Sequence, residues 1–135
     1  MQPIPQGVRV VPERTIRSLI IDSHATAVEK GWWESGDRPI LEQLMLMVTE
    51  LAEAAEEIRA GHGVGDTYYN AARQVLVPDG FIEKPEGFLS ELADVFIRIG
   101  DTVGRYGLTD DFIKVLEEKL EYNKHRPYRH GGKTA

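Results

Sequence analysis

The sequence predicts an all-α fold: an antiparallel bundle of four helices with a long insert between helices 2 and 3. Apolar residues recur at helical spacing in four separate segments. Helix-opening and helix-stopping residues bracket those segments. No stretch alternates strongly enough to argue for a sheet. The 135 residues, 1–135, form one domain, large enough to bury a core yet small enough for partner subunits to supply part of it.

The first segment runs from about Pro12, a good opening residue, to Gly31, with Ile16, Leu19, Ile20, Ser23 and Ala27 on one face. The second starts after Asp37 as N-cap and ends near Gly61, at the glycines of AGHGVG. Residues 61–85, GHGVGDTYYNAARQVLVPDGFIEKP, are then read as an irregular insert rich in Gly and Pro, with room for a short helix at YYNAARQVL. Loops of that length inside a compact domain are uncommon and often functional. The third segment opens around KPEG and runs to Gly107. The fourth begins at Thr109 as cap, carries Asp110 and Asp111 in its first turn where negative charge suits the dipole, and stops before Pro127. Residues 127–135 read as a flexible tail.

Composition excludes several classes of function. A formal net charge of -6 argues against a nucleic-acid polymer as partner. The absence of cysteine excludes disulfides, thiolate metal sites and cysteine nucleophiles. No stretch approaches the roughly 18 apolar residues of a membrane span, and MQPIPQGVRVVPER has no apolar signal core. A cytoplasmic protein without a membrane partner is expected. There is no internal repeat at solenoid periods and no low-complexity block.

Helical projection then places the charges. On the second helix Leu41, Leu44, Met45, Val48, Leu51, Ala52 and Ala55 form a broad apolar face. Leu46 falls opposite, in line with Glu50, Glu53 and Glu57, so that side is apolar in its first half and acidic in its second; a helix apolar on more than one side is usually buried. The third helix has Phe88, Leu92, Val95, Phe96, Ile99, Val103 and Tyr106 on its apolar face, with Glu91, Asp94, Arg98, Asp101 and Arg105 in a narrow stripe. Asp94 with Arg98, and Asp101 with Arg105, have the spacing of ion pairs on a solvated helix. On the fourth helix Lys119, Asn123 and Arg126 continue the stripe begun by Phe112 and Leu116, which fits either an anion-binding edge or a helix end emerging from the core.

The stretch TELAEAAEE crowds Glu50, Glu53, Glu56 and Glu57 into little more than two turns, which needs screening by water or a cation. Glu50 with Glu53, and Glu91 with Asp94, are two i,i+3 carboxylate pairs, each close enough to share an ion. Hard oxygen donors without His or Cys favour Mg²⁺, with Mn²⁺ as substitute. The Glu-x-x-His pattern of di-iron bundles is missing from both pairs. Such a metal site, with Lys119 and Arg126 on outer phosphates, suits hydrolysis of a phosphoanhydride.

TELAE followed by ELAD, and KLEYNKHR later, resemble the motifs of the MazG-like all-α nucleoside triphosphate pyrophosphohydrolases: Glu-Glu-x-x-Glu, Glu-x-x-Asp and Lys-x-x-x-Asn-x-x-Arg. The resemblance spans the first helix to Arg126. It departs at Thr49, where the family usually has its first Glu, and in the longer gap between the acidic motifs. It implies a four-helix bundle of the all-α NTP pyrophosphatase type. It also implies Mg²⁺ on Glu50, Glu53, Glu91 and Asp94, and a metal-held water attacking the α-phosphorus to release a (d)NMP and pyrophosphate. Glu50, Glu53 and Glu57 would be catalytic, Glu57 by orienting the water or completing a second ion's shell. Lys119, Asn123, Arg126, His24 and Trp33 would bind substrate, while Tyr68, Tyr69 and Asn70 are candidate lid contacts. Arg129 and Lys133 in the tail are candidates to fold over phosphates. A homodimer or homotetramer with sites near subunit interfaces, acting in nucleotide pool sanitation, completes the expectation. A phosphoribosyl-ATP pyrophosphatase-like enzyme and a non-catalytic helical binding or regulatory module are the alternatives.

Overall fold

A computed structural model of the chain describes residues 12–132 and residue 134. The N-terminal segment through Val11 and the tail position Lys133 lie outside the described residues. The elements are α1 (Ile16–Glu29), α2 (Ile40–Arg59), β1 (Tyr68–Val77), β2 (Gly80–Glu86), α3 (Phe88–Arg105), α4 (Thr109–Lys124) and a single turn, α5 (Arg129–Gly132).

The all-α expectation is overturned by β1 and β2. They form a two-stranded antiparallel sheet inside the segment read as irregular, and YYNAARQVL is strand where a short helix was expected. Pro78 and Asp79 make a two-residue turn between the paired Val77 and Gly80, and Gly80 takes a positive φ of 147° that few other residues tolerate. Tyr68 pairs with Glu86 and Asn70 with Lys84, then Val75 with Ile82. Between those pairs residues 71–74 face Glu83 alone, a bulge in which the Asn70 side chain accepts from the Ala72 backbone N–H at 3.0 Å. Below the bulge the hairpin sits on the rest of the molecule; above it Leu76 is 85% exposed.

The helices begin and end close to the expected places, with different caps. Thr15 caps α1, its hydroxyl accepting from the Ser18 N–H at 3.0 Å. Pro39 precedes α2, and Asp37 instead accepts from Arg105 at 2.8 Å. Thr109 is the first residue of α4, with Leu108 in the cap position.

α3 is the centre of the helical part, packed against α1 and α2. The cross-contacts Glu50 to Arg98 and His24 to Asp101 tie α2 and α1 to it. Close approach of α1 depends on two glycines. A Cβ at Gly104 would lie 2.7 Å from the His24 Cβ, and one at Gly100 would lie 3.1 Å from Leu19 and Ser23 atoms. α4 joins through its opening turns, where Arg17 donates to Asp110 at 2.6 Å. Phe112, Ile113 and Leu116 are half-buried, and from Glu117 to His125 every residue is exposed.

The apolar faces are distributed unexpectedly. α2 turns Gln43, Glu50 and Ala54 inward, with Leu46 half-buried beside them. Its broad apolar face, including Leu41, Leu44, Met45, Val48 and Leu51, is exposed in the single chain, as is Phe96 on α3. Among the described residues the buried hydrophobic side chains are Ile20, Trp33 and Ala54. No helix is long and apolar enough to cross a membrane among the described residues.

Candidate metal centre

Glu50 stands in the middle of α2 because the inward face of that helix reaches it one turn after Leu46 and one turn before Ala54. Glu91 and Asp94 stand in the first two turns of α3, which Gly87 launches directly from β2. At Gly87 the backbone has a φ of 116° and lies against the Asp66 carbonyl, so a side chain has no space there. Packing of α2 against α3 brings one carboxylate oxygen from each of Glu50, Glu91 and Asp94 within 4.8 Å of the others. Glu53 is exposed at the rim, within hydrogen-bonding reach of both Glu50 and Glu91.

Like charges this close cannot all remain ionised without compensation. Glu50 is 6% exposed, and its Oε1 accepts from Arg98 Nε at 2.7 Å. Burial opposes its ionisation, but Arg98, with hydrogen bonds from Glu53 and Glu91, outweighs burial and holds its pKa below the ordinary carboxylate value. Glu91 goes the other way: burial, then Glu53, Glu50 and Asp94, push it up to about 7. Its Oε2 is buried without a hydrogen-bond partner. Asp94 is raised by burial and by Glu50, against the pull of Arg98 and Lys84. Three converging carboxylates, one with an orphaned oxygen, are a donor set that suits a hard divalent cation.

The charged stripe of α3 is therefore not a solvated face. Arg98 reaches across to Glu50. Asp101 Oδ1 accepts from both His24 Nδ1 and Trp33 Nε1, each at 2.9 Å, while Arg105 pairs with Asp37 at 2.7 Å. This second polar cluster lies two turns along α3 from Asp94, about 10 Å. His24 Nδ1 and Trp33 Nε1 are thus engaged there. Trp33 is 5% exposed, with the Arg105 guanidinium 4.7 Å from its ring centre, whereas Trp32 lines an open cavity of about 1030 Å³. That cavity runs from Glu50, Asp94 and Arg98 past Leu46 and Phe96 to Asp101 and Arg38.

Glu57 is also engaged. It accepts from His62 Nδ1 at 2.6 Å and from the Tyr68 hydroxyl at 2.9 and 3.0 Å, which fastens the hairpin base to the end of α2. Hydrogen bonds from His62 and Tyr68 lower its pKa, and the same contact with Glu57 raises that of Tyr68. Tyr69 is exposed and Asn70 half-buried, its side chain turned to the bulge. Lys119, on the projecting part of α4, and Arg126, just past its end, both lie 5.6 Å from the Tyr122 ring, and Asn123 between them in sequence is exposed. Among the described residues no hydrogen bond or ion pair joins these three to the carboxylates. Arg129 stacks 5.6 Å from the Tyr128 ring.

Two cations at the carboxylate cluster escape a reading of the sequence. Arg98 has the spacing to pair with Asp94 along its own helix, and only tertiary packing shows that Glu50 takes it. Lys84 lies on a strand that was not foreseen. No family model, curated protein or solved structure matches the chain.

Proposed function

We propose that the carboxylate cluster holds a divalent cation, Mg²⁺ or Mn²⁺, and that the protein is a nucleoside triphosphate pyrophosphohydrolase releasing a (d)NMP and pyrophosphate. The observation that carries this reading is the convergence of Glu50, Glu91 and Asp94 within 4.8 Å, on two helices, with one carboxylate oxygen buried and unpartnered. Glu50, Glu91 and Asp94 would be the ligands, with Glu53 at the rim. A bound cation would neutralise phosphoryl oxygens and lower the pKa of a water. Arg98 orients Glu50 through its hydrogen bond and keeps that carboxylate ionised. Glu57 holds the hairpin base to the end of α2 through Tyr68. The cavity beginning at Glu50 and Asp94 offers apolar wall and polar ends beside the site, as a nucleoside needs.

The exposed α2 face supports a homo-oligomer. A contiguous row of Leu41, Leu44, Met45, Val48 and Leu51 is the kind of patch that marks an interface.

One observation favours the non-catalytic module. Arg98 on Glu50 and a proton on Glu91 relieve the carboxylate repulsion without any metal. Incubation with a panel of NTPs and dNTPs, in Mg²⁺ or EDTA, with products separated by ion exchange, decides between the readings. Metal-dependent release of monophosphate and pyrophosphate is expected. Diphosphate plus orthophosphate would refute the bond assignment, and an inert protein that also fails to bind Mn²⁺ would favour the module.

A further inference from the structure

The cations of α4 are turned to Tyr122, but another cation approaches the carboxylates from the hairpin. Directly paired residues of an antiparallel ladder share one face of the sheet, and so do residues two apart on one strand. Tyr68 is paired with Glu86, and its hydroxyl is bonded to Glu57 at 2.9 Å, so that face of the hairpin base is turned toward the end of α2. Lys84, two residues before Glu86, lies on the same face, with its ammonium 3.4 Å from the Glu86 carboxylate.

The base is held firmly. Ser90 on α3 donates to the Pro85 carbonyl at 2.8 Å, and Gly87 lies against the Asp66 backbone. Ser90 adjoins Glu91 and lies one turn of α3 before Asp94, so the backbone next to Lys84 is fixed beside the carboxylates. The Lys84 side chain itself is 44% exposed, and its pairing with Glu86 is of the exposed kind that contributes little. A firmly placed backbone thus carries a weakly committed cation at the rim of a carboxylate cluster.

We propose that Lys84 is a substrate-binding residue, the ammonium that meets the non-bridging phosphate oxygens of a nucleotide polyphosphate at this cluster. The inference rests on the pyrophosphohydrolase reading. Mg²⁺-type sites share their ion between carboxylates and substrate phosphates, so a phosphate chain bound there carries negative charge beyond what one ion neutralises. An ammonium on the opposite side of that chain complements the remainder, and a Lys is suited to this as a compact point charge. The hairpin is then the element that brings a cation to a carboxylate-rich site.

Lys84→Met and Lys84→Arg, compared with wild type, test this by steady-state hydrolysis of the best NTP from the panel and by Mn²⁺ titration without nucleotide. Loss of a charge-assisted contact corresponds to roughly a ten- to hundredfold rise in KM for Lys84→Met, with most of it restored in Lys84→Arg. Mn²⁺ affinity without nucleotide should not fall, because the lost charge is positive. An active wild type whose KM is unchanged in Lys84→Met overturns the inference while leaving the enzyme reading intact. A parallel loss of Mn²⁺ affinity also overturns it, since Lys84 would then be organising the metal ligands. A wild type that hydrolyses no NTP removes the enzyme reading and this inference together.

Discussion

Glu91→Gln replaces the carboxyl that burial and its neighbours keep protonated with a neutral side chain of the same shape. The span from the ordinary value of 4.5 to about 7 corresponds to at most roughly 3 kcal/mol. Solvent reaches the Glu53 side of the cluster, so about 1–2 kcal/mol is the screened magnitude. A folded-state pKa above the unfolded one means that the native protein holds the proton more tightly. That contribution is complete below the ordinary carboxylate value and is lost as pH rises through about 7. The variant carries no proton to lose. In EDTA it should therefore match wild type closely near pH 5 and exceed it by about 1–2 kcal/mol at pH 8, read from urea denaturation at both values. The same substitution removes a proposed metal ligand, so Mn²⁺ affinity should fall at least about tenfold. Wild-type affinity should also climb between pH 6 and 8 as the cation displaces the proton. A stability difference that is independent of pH, or of opposite sign, would refute the placement of the proton. Unchanged Mn²⁺ binding would refute the role of Glu91 as a ligand.

Three further perturbations probe the surroundings. Arg98→Met leaves Glu50 buried without its cation and should cost about 1–3 kcal/mol in EDTA, the pair being partly exposed on the Arg side. Mn²⁺ should then raise the melting temperature more in this variant than in wild type, and an equal rise in both would show that Arg98 and the cation do not compete. Gly104→Ala places a methyl group against His24 and should destabilise by about 1–3 kcal/mol in urea denaturation; a neutral effect would mean that the α1–α3 contact yields easily. Tyr68→Phe removes the donor to Glu57, so amide exchange should quicken at 68–70 and 84–86 with α3 unaffected. Because Glu57 is held below the ordinary carboxylate value, this latch operates above that value and is lost as pH falls. Hairpin protection in wild type should accordingly weaken in acid.

The helices were legible because their signals are local: a 3.6-residue apolar period, glycines past the ends, and acids in the first turn of α4. The carboxylate pairs were legible for the same reason, since i,i+3 spacing alone puts Glu50 beside Glu53 and Glu91 beside Asp94. The hairpin was missed although Asp79-Gly80, flanked by Val75-Leu76-Val77 and Phe81-Ile82, has the form of a hairpin turn between strand-forming runs. Ala71, Ala72 and Arg73 suggest helix, and those residues fall in the bulge, where ladder pairing does not constrain residue type. The partners of the α3 stripe were not legible, because i,i+4 charges can satisfy each other along one helix or reach across to another. Arg98 and Arg105 both reach across. Trp33 could not be told from Trp32 by position in the sequence. Only the turn after α1 decides which indole is enclosed beside Asp101 and which lines the cavity.

The outward placement of Leu41, Met45, Val48 and Phe96 has a thermodynamic consequence. In the proposed homo-oligomer, apolar area left in water by one chain contributes to folding only where another chain covers it, so folding and association would become a single equilibrium governed by mass action. The unfolding midpoint should then rise with protein concentration, and simple dilution should loosen helices that no substitution has touched.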